Sequence, residues 1–292
     1  MKKTVLVAVI VYILLFAAAC AMGETFEAYG LTLSEDQKTL DLGKTKIEDF
    51  EEFVEVLKKM PSLESVSMFN TRMEKETMEL LHETFPNIRF GWTMRAAKYR
   101  IRTDAEAFST IRNPDDKPRY GTSTYETIRY CWQLHALDLG HNSIEDISFV
   151  SGLTDLHYLI LADNRITDIS ALSSLKELEY LELFMNDITD ITPLLDLPNL
   201  IDLNLSRTRI EDLTPLYEMK QLKRLWISRV KTGISEEEKE ALMAALPNTE
   251  ICITANCTSG GWRQHPRFYK IKNSLYKSEQ KYIPFTDEER GL

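Results

Sequence analysis

At 292 residues, 43% of them hydrophobic and 27% charged, the chain is long enough for one large domain or two small ones with a substantial core. Its formal net charge of −10 argues against wholesale binding to nucleic acid, whose phosphates call for a basic surface.

Met1-Lys2-Lys3 is a short cationic start, and an unbroken apolar run from Val5 to Ala19 follows, closing on the small residues Ala17-Ala18-Ala19-Cys20-Ala21. This is the layout of a secretory signal peptide over residues 1–21, which is set apart from the fold. The alternative is an uncleaved anchor, since a run ending at Met22 is barely long enough to span a hydrocarbon core of about 30 Å. The stretch Phe16-Ala17-Ala18-Ala19-Cys20 resembles a bacterial lipobox. That resemblance implies a lipid on Cys20 and a protein anchored in the membrane at the bacterial cell surface. Ordinary cleavage after Ala-x-Ala, with Cys20 incidental and the product secreted, is the other outcome.

Residues 28–92 read as two degenerate coils. Leu40-Asp41-Leu42 followed by Ile47, and Leu63-Glu64-Ser65-Val66-Ser67-Met68, look like their strands. Full helical periodicity over Asp49 to Met60 and Glu74 to Phe85 supplies their outer halves. Residues 93–123 read as an insert, with a turn-rich loop at Asn113-Pro114-Asp115-Asp116-Lys117-Pro118. Ser123-Thr124-Tyr125-Glu126 has the spacing of a capping box, and Tyr125, Ile128 and Cys131 follow at the core spacing of a further coil.

The architecture is decided between residues 124 and 253. Segments starting at Leu134, Leu156, Leu178 and Leu200 align without gaps at a period of 22 residues, and a fifth begins at Leu222. Leu137, Leu159, Leu181, Leu203 and Leu225 form one column, and Leu139, Leu161, Leu183, Leu205 and Ile227 the next. Their alternation with polar residues predicts a short strand with the leucines inward. Ile147-Val150-Leu153 and its copies repeat in threes, which suits a short 3-10 or α segment on the outer side. Asn142, Asn164 and Asn186 should bond the backbone of neighbouring coils, and the column ends at Thr208 and Val230. Asp146, Asp168, Asp190 and Asp212 recur where free N–H groups need capping.

These columns resemble the short leucine-rich repeats of bacterial internalins and of a protein-phosphatase regulatory subunit. The resemblance implies an α/β right-handed solenoid, with a parallel sheet on the concave face and short 3-10 or α segments on the convex face. It further implies a non-enzymatic surface protein that recognises a protein or peptide on that concave face, whereas glycan or cell-wall binding through exposed aromatics is the alternative.

Alternation places Asp138, Tyr158, Ile160, Tyr180, Glu182, Phe184, Met185, Arg207, Arg224, Trp226 and Arg229 on the concave side, where they are expected to be exposed and to bind the partner. Cover by the chain's own tail is the competing expectation. Charge is split along the axis, with thirteen acidic and two basic residues from Leu134 to Leu203, then three acidic and seven basic to Lys231.

The tail, 254–292, carries seven Lys/Arg against four Asp/Glu with six aromatics, and is expected to cap the last coil. Its motif Gly260-Gly261-Trp262-Arg263-Gln264-His265-Pro266-Arg267 suits either an anion or a Trp262 plug with arginines paired to acidic coils. Cys252 and Cys257 are a possible disulfide in an oxidising exterior. No catalytic motif appears, and His135 and His157, sharing a column, lack a third ligand, so neither metal nor cofactor is expected.

Overall fold

The computed structural model describes residues 23–110, 119–230, 233–254, 261–277 and 280–291. The export segment 1–21 with Cys20, the loop Asn113–Pro118, and Cys257 lie outside them. The chain divides into two compact units, Met1–Met94 and Arg95–Leu292.

In the first unit, strands β1 (Thr25–Ala28) and β2 (Leu31–Ser34) form an antiparallel hairpin. Its turn passes through Tyr29 and Gly30, both at positive φ. Strand β3 (Thr39–Asp41), helix α1 (Phe50–Lys58), strand β4 (Ser65–Arg72), helix α2 (Lys75–Thr84) and strand β5 (Arg89–Ala96) then alternate. The strands β3, β4 and β5 pair in parallel order. Helix α1 forms because Phe53, Val56 and Leu57 recur at helical spacing and are buried together. Asp49 caps it by accepting from the Glu52 N–H at 3.0 Å.

The second unit opens with strand β6 (Tyr99–Arg102). Seven parallel strands then stack in sequence order: β7 (Ala107–Ser109), β8 (Ala136–Asp138), β9 (Tyr158–Ile160), β10 (Tyr180–Glu182), β11 (Asp202–Asn204), β12 (Arg224–Trp226) and β13 (Glu250–Cys252). The register follows the repeat. Leu137, Leu159, Leu181, Leu203 and Leu225 are successive Cα partners, and all are buried. The 3-10 turns Ser148–Val150, Ser170–Ser174, Thr192–Asp196 and Thr214–Glu218 return each coil and close this core from the other side. Helix α3 (Glu236–Ala245) takes the place of the last such turn, opened by a Ser235–Glu238 capping box.

Local chemistry follows the alignment. The Asn164 amide donates to Leu139 O and Leu161 O, both at 3.0 Å, and its carbonyl accepts from Ile144 N–H at 3.0 Å. Asn186 repeats this one coil on. Thr208 bonds only within its own coil, to Leu205 O, among the described residues. The aspartates at 146, 168, 190 and 212 each accept an N–H two residues on, at 2.7–2.9 Å.

Two expectations change. The stretch 93–123 contributes β7, whose Ala107, Phe108 and Ser109 pair with Ala136, Leu137 and Asp138. Phe108 lies 29 residues before its partner Leu137, off the 22-residue period, so no repeat column betrays the strand. Two 3-10 turns, Thr122–Thr124 and Glu126–Tyr130, form the expected outer half of this earlier coil, but without the Ser123–Glu126 capping box. There Thr122 Oγ1 accepts from the backbone of Glu145 and Asp146 on the next coil.

After β13 the chain continues through a 3-10 turn, Trp262–Gln264, into helix α4 (Pro266–Tyr276), and ends with the short helix α5 (Asp287–Arg290).

Candidate functional site

Side chains on the strand face opposite the leucines were expected to meet solvent. They do not. Asp138, Tyr158, Ile160, Tyr180, Glu182, Arg224 and Trp226 are all buried. Alternation correctly turns them away from the leucine core, but it carries no information about what lies on the far side. Residues 261–277 and 280–291 lie there as a strap.

The strap is held by aromatic packing. Trp262 meets Trp226 edge-on with ring centroids 4.5 Å apart and faces Tyr180 at 5.2 Å. Phe268, Ile271 and Leu275 of α4 join Tyr158, Ile160 and Tyr180 in one buried cluster, and α4 packs along β7 and β8. The chain then returns over the strand starts, where Tyr282 stacks on His157 at 5.0 Å and Phe285 packs on Tyr158 at 4.7 Å. The tail thus caps a face rather than the end of the solenoid.

Charge complementarity fixes its register. Arg267 grips Asp202 with Nε and Nη2 at 2.8 and 2.6 Å. Arg263 holds Glu182 in the same forked way at 3.2 and 2.6 Å. Arg290 reaches Glu179 at 2.8 Å, and Tyr276 donates its hydroxyl to Asp138 at 2.6 Å. Tyr180 donates to Glu182. Burial pushes the Asp138 carboxyl above its ordinary range, against the opposing pull of the Tyr276 hydroxyl. Desolvation of half-buried His265, with Arg224 and Arg267 close by, pushes its pKa down to about 4. The ring is therefore neutral at pH 7, as its role of accepting the Arg267 N–H at the start of α4 requires.

Three predicted site residues, Met185, Arg207 and Arg229, do remain open. At each strand exit the backbone turns through a left-handed residue: His141, Asp163, Met185, Arg207 and Arg229, with φ between 55° and 58°. Asp163 is engaged by Arg119 and by His141 at 2.8 Å. Met185 is 36% exposed, Arg207 and Arg229 are exposed, and Phe184 beside them is half-buried. Arg207 Nη1 lies 3.7 Å from Met185 Sδ, and among the described residues Arg229 has no ion-pair partner.

The remaining candidates resolve simply. His135 and His157 flank Tyr282, with His135 Nδ1 at 3.0 Å from Asp155 O. Among the described residues no group of three His, Cys, Asp or Glu is placed to hold a metal. Among them, too, no helix is long and apolar enough to cross a membrane. Cys252 is disulfide-bonded, and Cys131, read as a core residue, is buried as a free thiol. The pairing of Arg263 and Arg267 with acidic coils was anticipated, whereas sequence reasoning missed Phe268, Tyr276, Phe285 and Arg290 as further parts of the complement of the acidic sheet. The signal was present in the seven basic residues of a tail attached to an acidic solenoid.

Residues 132–174, 156–197 and 176–218 match the family model for leucine-rich repeats, and with the stacked coils this makes the second unit a leucine-rich-repeat solenoid. Repeats of this class generally serve as protein-binding modules rather than catalysts. Among curated proteins none matches the sequence. An internalin of Listeria monocytogenes is similar at 17% identity over 76% of this chain and 50% of its own, with a TM-score of 0.37. The chain thus spans about half the length of that protein. A leucine-rich-repeat protein of Leptospira interrogans is similar at 22% identity over 75% of this chain and 55% of its own, with a TM-score of 0.41. Internalin C2 of L. monocytogenes shares 20% identity over 67% of this chain and 84% of its own, with a TM-score of 0.33.

Proposed function

We propose that this chain is an exported, non-enzymatic binding module that recognises a protein partner along the strand-exit rim of its sheet. The observation that carries the reading is the left-handed row. A side chain in that conformation costs on the order of 1–3 kcal/mol that glycine would avoid. Five successive coils accept it with His, Asp, Met, Arg and Arg, and the last three point their side chains into solvent uncovered by the strap. Exposed Met and Arg beside half-buried Phe184 have the composition of an interface centre. Glycan recognition by Tyr158, Tyr180 and Trp226 has no such support, because these rings are buried.

Arg207→Glu with Arg229→Glu is expected to leave stability within about 0.5 kcal/mol, as exposed substitutions do. Capture of the native partner from the surrounding medium should fall at least about tenfold if the rim is the contact, equivalent to about 1.4 kcal/mol. Unchanged capture by the folded double variant removes the rim from the site.

Surface display is part of the same proposal, and it rests on the lipobox-like stretch ending at Cys20. A lipid there would hold the module at the membrane. The wild type should partition into detergent and Cys20→Ala into water. Two equally water-soluble products end the anchoring idea.

A further inference from the structure

The two sides of the same strands are built differently. Facing the coils are Leu137, Leu159, Leu181, Leu203 and Leu225, a hydrocarbon core. Facing the strap, and equally buried, are Asp138, Glu182 and Asp202 among Tyr158, Tyr180 and Trp226. A permanent core has no use for buried carboxylates, because apolar residues of similar volume are usually as stabilising or more so. A surface that alternates between water and a partner does need them. Charged and aromatic side chains keep it soluble when open and give register when closed.

The strap also fits imperfectly. Arg224 donates through Nη2 to Trp262 O at 3.1 Å, but its Nη1 and Nε have no hydrogen-bond partner. Asn204 Nδ2 and Trp226 Nε1, partners across β11 and β12, and Ser228 Oγ just beyond β12, are likewise buried without one. Each such atom penalises the closed state. On the leucine side, by contrast, the Asn164 and Asn186 amides are fully used. The Arg224 and Trp226 donors lie against Trp262, where strap meets sheet.

We infer that the concave face is a recognition surface for an arginine- and aromatic-bearing turn-and-helix segment, occupied in cis by residues 261–277 and 280–291 and opened to a partner segment of that chemistry when the strap lifts. The strap itself specifies the ligand. It presents guanidiniums four residues apart, Arg263 and Arg267, to carboxylates on adjacent strands, Glu182 and Asp202, with Trp262 and Phe268 filling the aromatic seats between. Tethering keeps the face closed, since a linked segment acts at an effective concentration in the millimolar range. The inference rests on the reading of the chain as a protein-binding module, but it concerns the covered face and not the rim.

The test uses the full chain and a fluorescent peptide with the sequence of residues 261–291. Arg263→Glu with Arg267→Glu weakens the cis strap and leaves the sheet face untouched. This variant should take up the peptide at least about 100-fold more tightly than the wild type does, the advantage that tethering otherwise gives the strap. In the unaltered wild type, amide hydrogens of α4 should exchange at least about 100-fold faster than those of β9, β10 and β11, because the strap opens locally. A folded variant that ignores the peptide overturns the inference. So does a variant that cannot fold, or a wild type in which α4 and the strands exchange as one unit, for the strap is then core. Failure of the rim leaves all three readings unchanged, since Arg207 and Arg229 make no hydrogen bond or ion pair with the strap among the described residues.

Discussion

Tyr180→Ala is expected to release the strap with the solenoid still folded, whereas its neighbour Leu181→Ala is expected to weaken the solenoid itself. Both residues are fully buried, one on each side of β10. Tyr180 stacks on Trp262 and Phe268 and donates to Glu182, so its loss empties an aromatic seat in the closed state, a change worth about 3–5 kcal/mol. That penalty reaches global stability only up to the free energy that docks the strap. Beyond it the strap lifts, and the truncated face is simply hydrated. Leu181 has no such escape, because its contacts are in the leucine stack between neighbouring coils. Its truncation should lower the unfolding free energy by about 2–5 kcal/mol, according to how far the cavity collapses. Denaturant titration with amide exchange at α4 separates the two. Equal shifts in the unfolding midpoint, with α4 protected to the same degree as the strands in both variants, make the strap part of a single cooperative core.

The difference between these neighbours marks what could be read from the chain. The leucine columns, the Asn142–Asn164–Asn186 ladder and the aspartate caps were legible because each depends on spacing within a coil or between adjacent coils. The Asp168 cap reaches two residues, and the Asn164 ladder reaches 25. The facing of Tyr180 was legible too, since period two places it opposite Leu181. Its burial was not. The strap that covers it comes from far along the chain: Arg267 meets Asp202 across 65 residues, and Tyr276 meets Asp138 across 138. No period links such positions, and only complementary charge hinted at them. Strand β7 escaped as well. It stands 29 residues before its partner strand rather than 22, so no column of the repeat includes it, and its neighbours in the sheet make it a strand. The outward facing of Met185, Arg207 and Arg229 was legible because they share one column of the 22-residue period at the strand exits.

Arg267→Met should loosen the strap far more than Asp202→Leu and Arg267→Met together. The single change leaves the Asp202 carboxylate, wholly buried, without the two forked bonds at 2.6 and 2.8 Å. Arg224, whose Nη1 is 3.7 Å away, is too distant to replace them with a hydrogen bond. Stranding one partner of a buried pair typically costs about 3–5 kcal/mol, while exchanging both for apolar groups is often neutral or favourable. Here the stranded charge has a way out, since lifting the strap returns Asp202 to water. The loss should therefore appear as faster amide exchange in α4, with the exchange of β9 to β11 little altered. The double variant should restore most of the protection, less whatever Arg267 Nη1 contributes by donating to Glu289 O at 2.8 Å. A double variant as open as Arg267→Met alone would mean that Arg267 acts through that second contact, and the Asp202 pair would not be what registers the helix on the sheet.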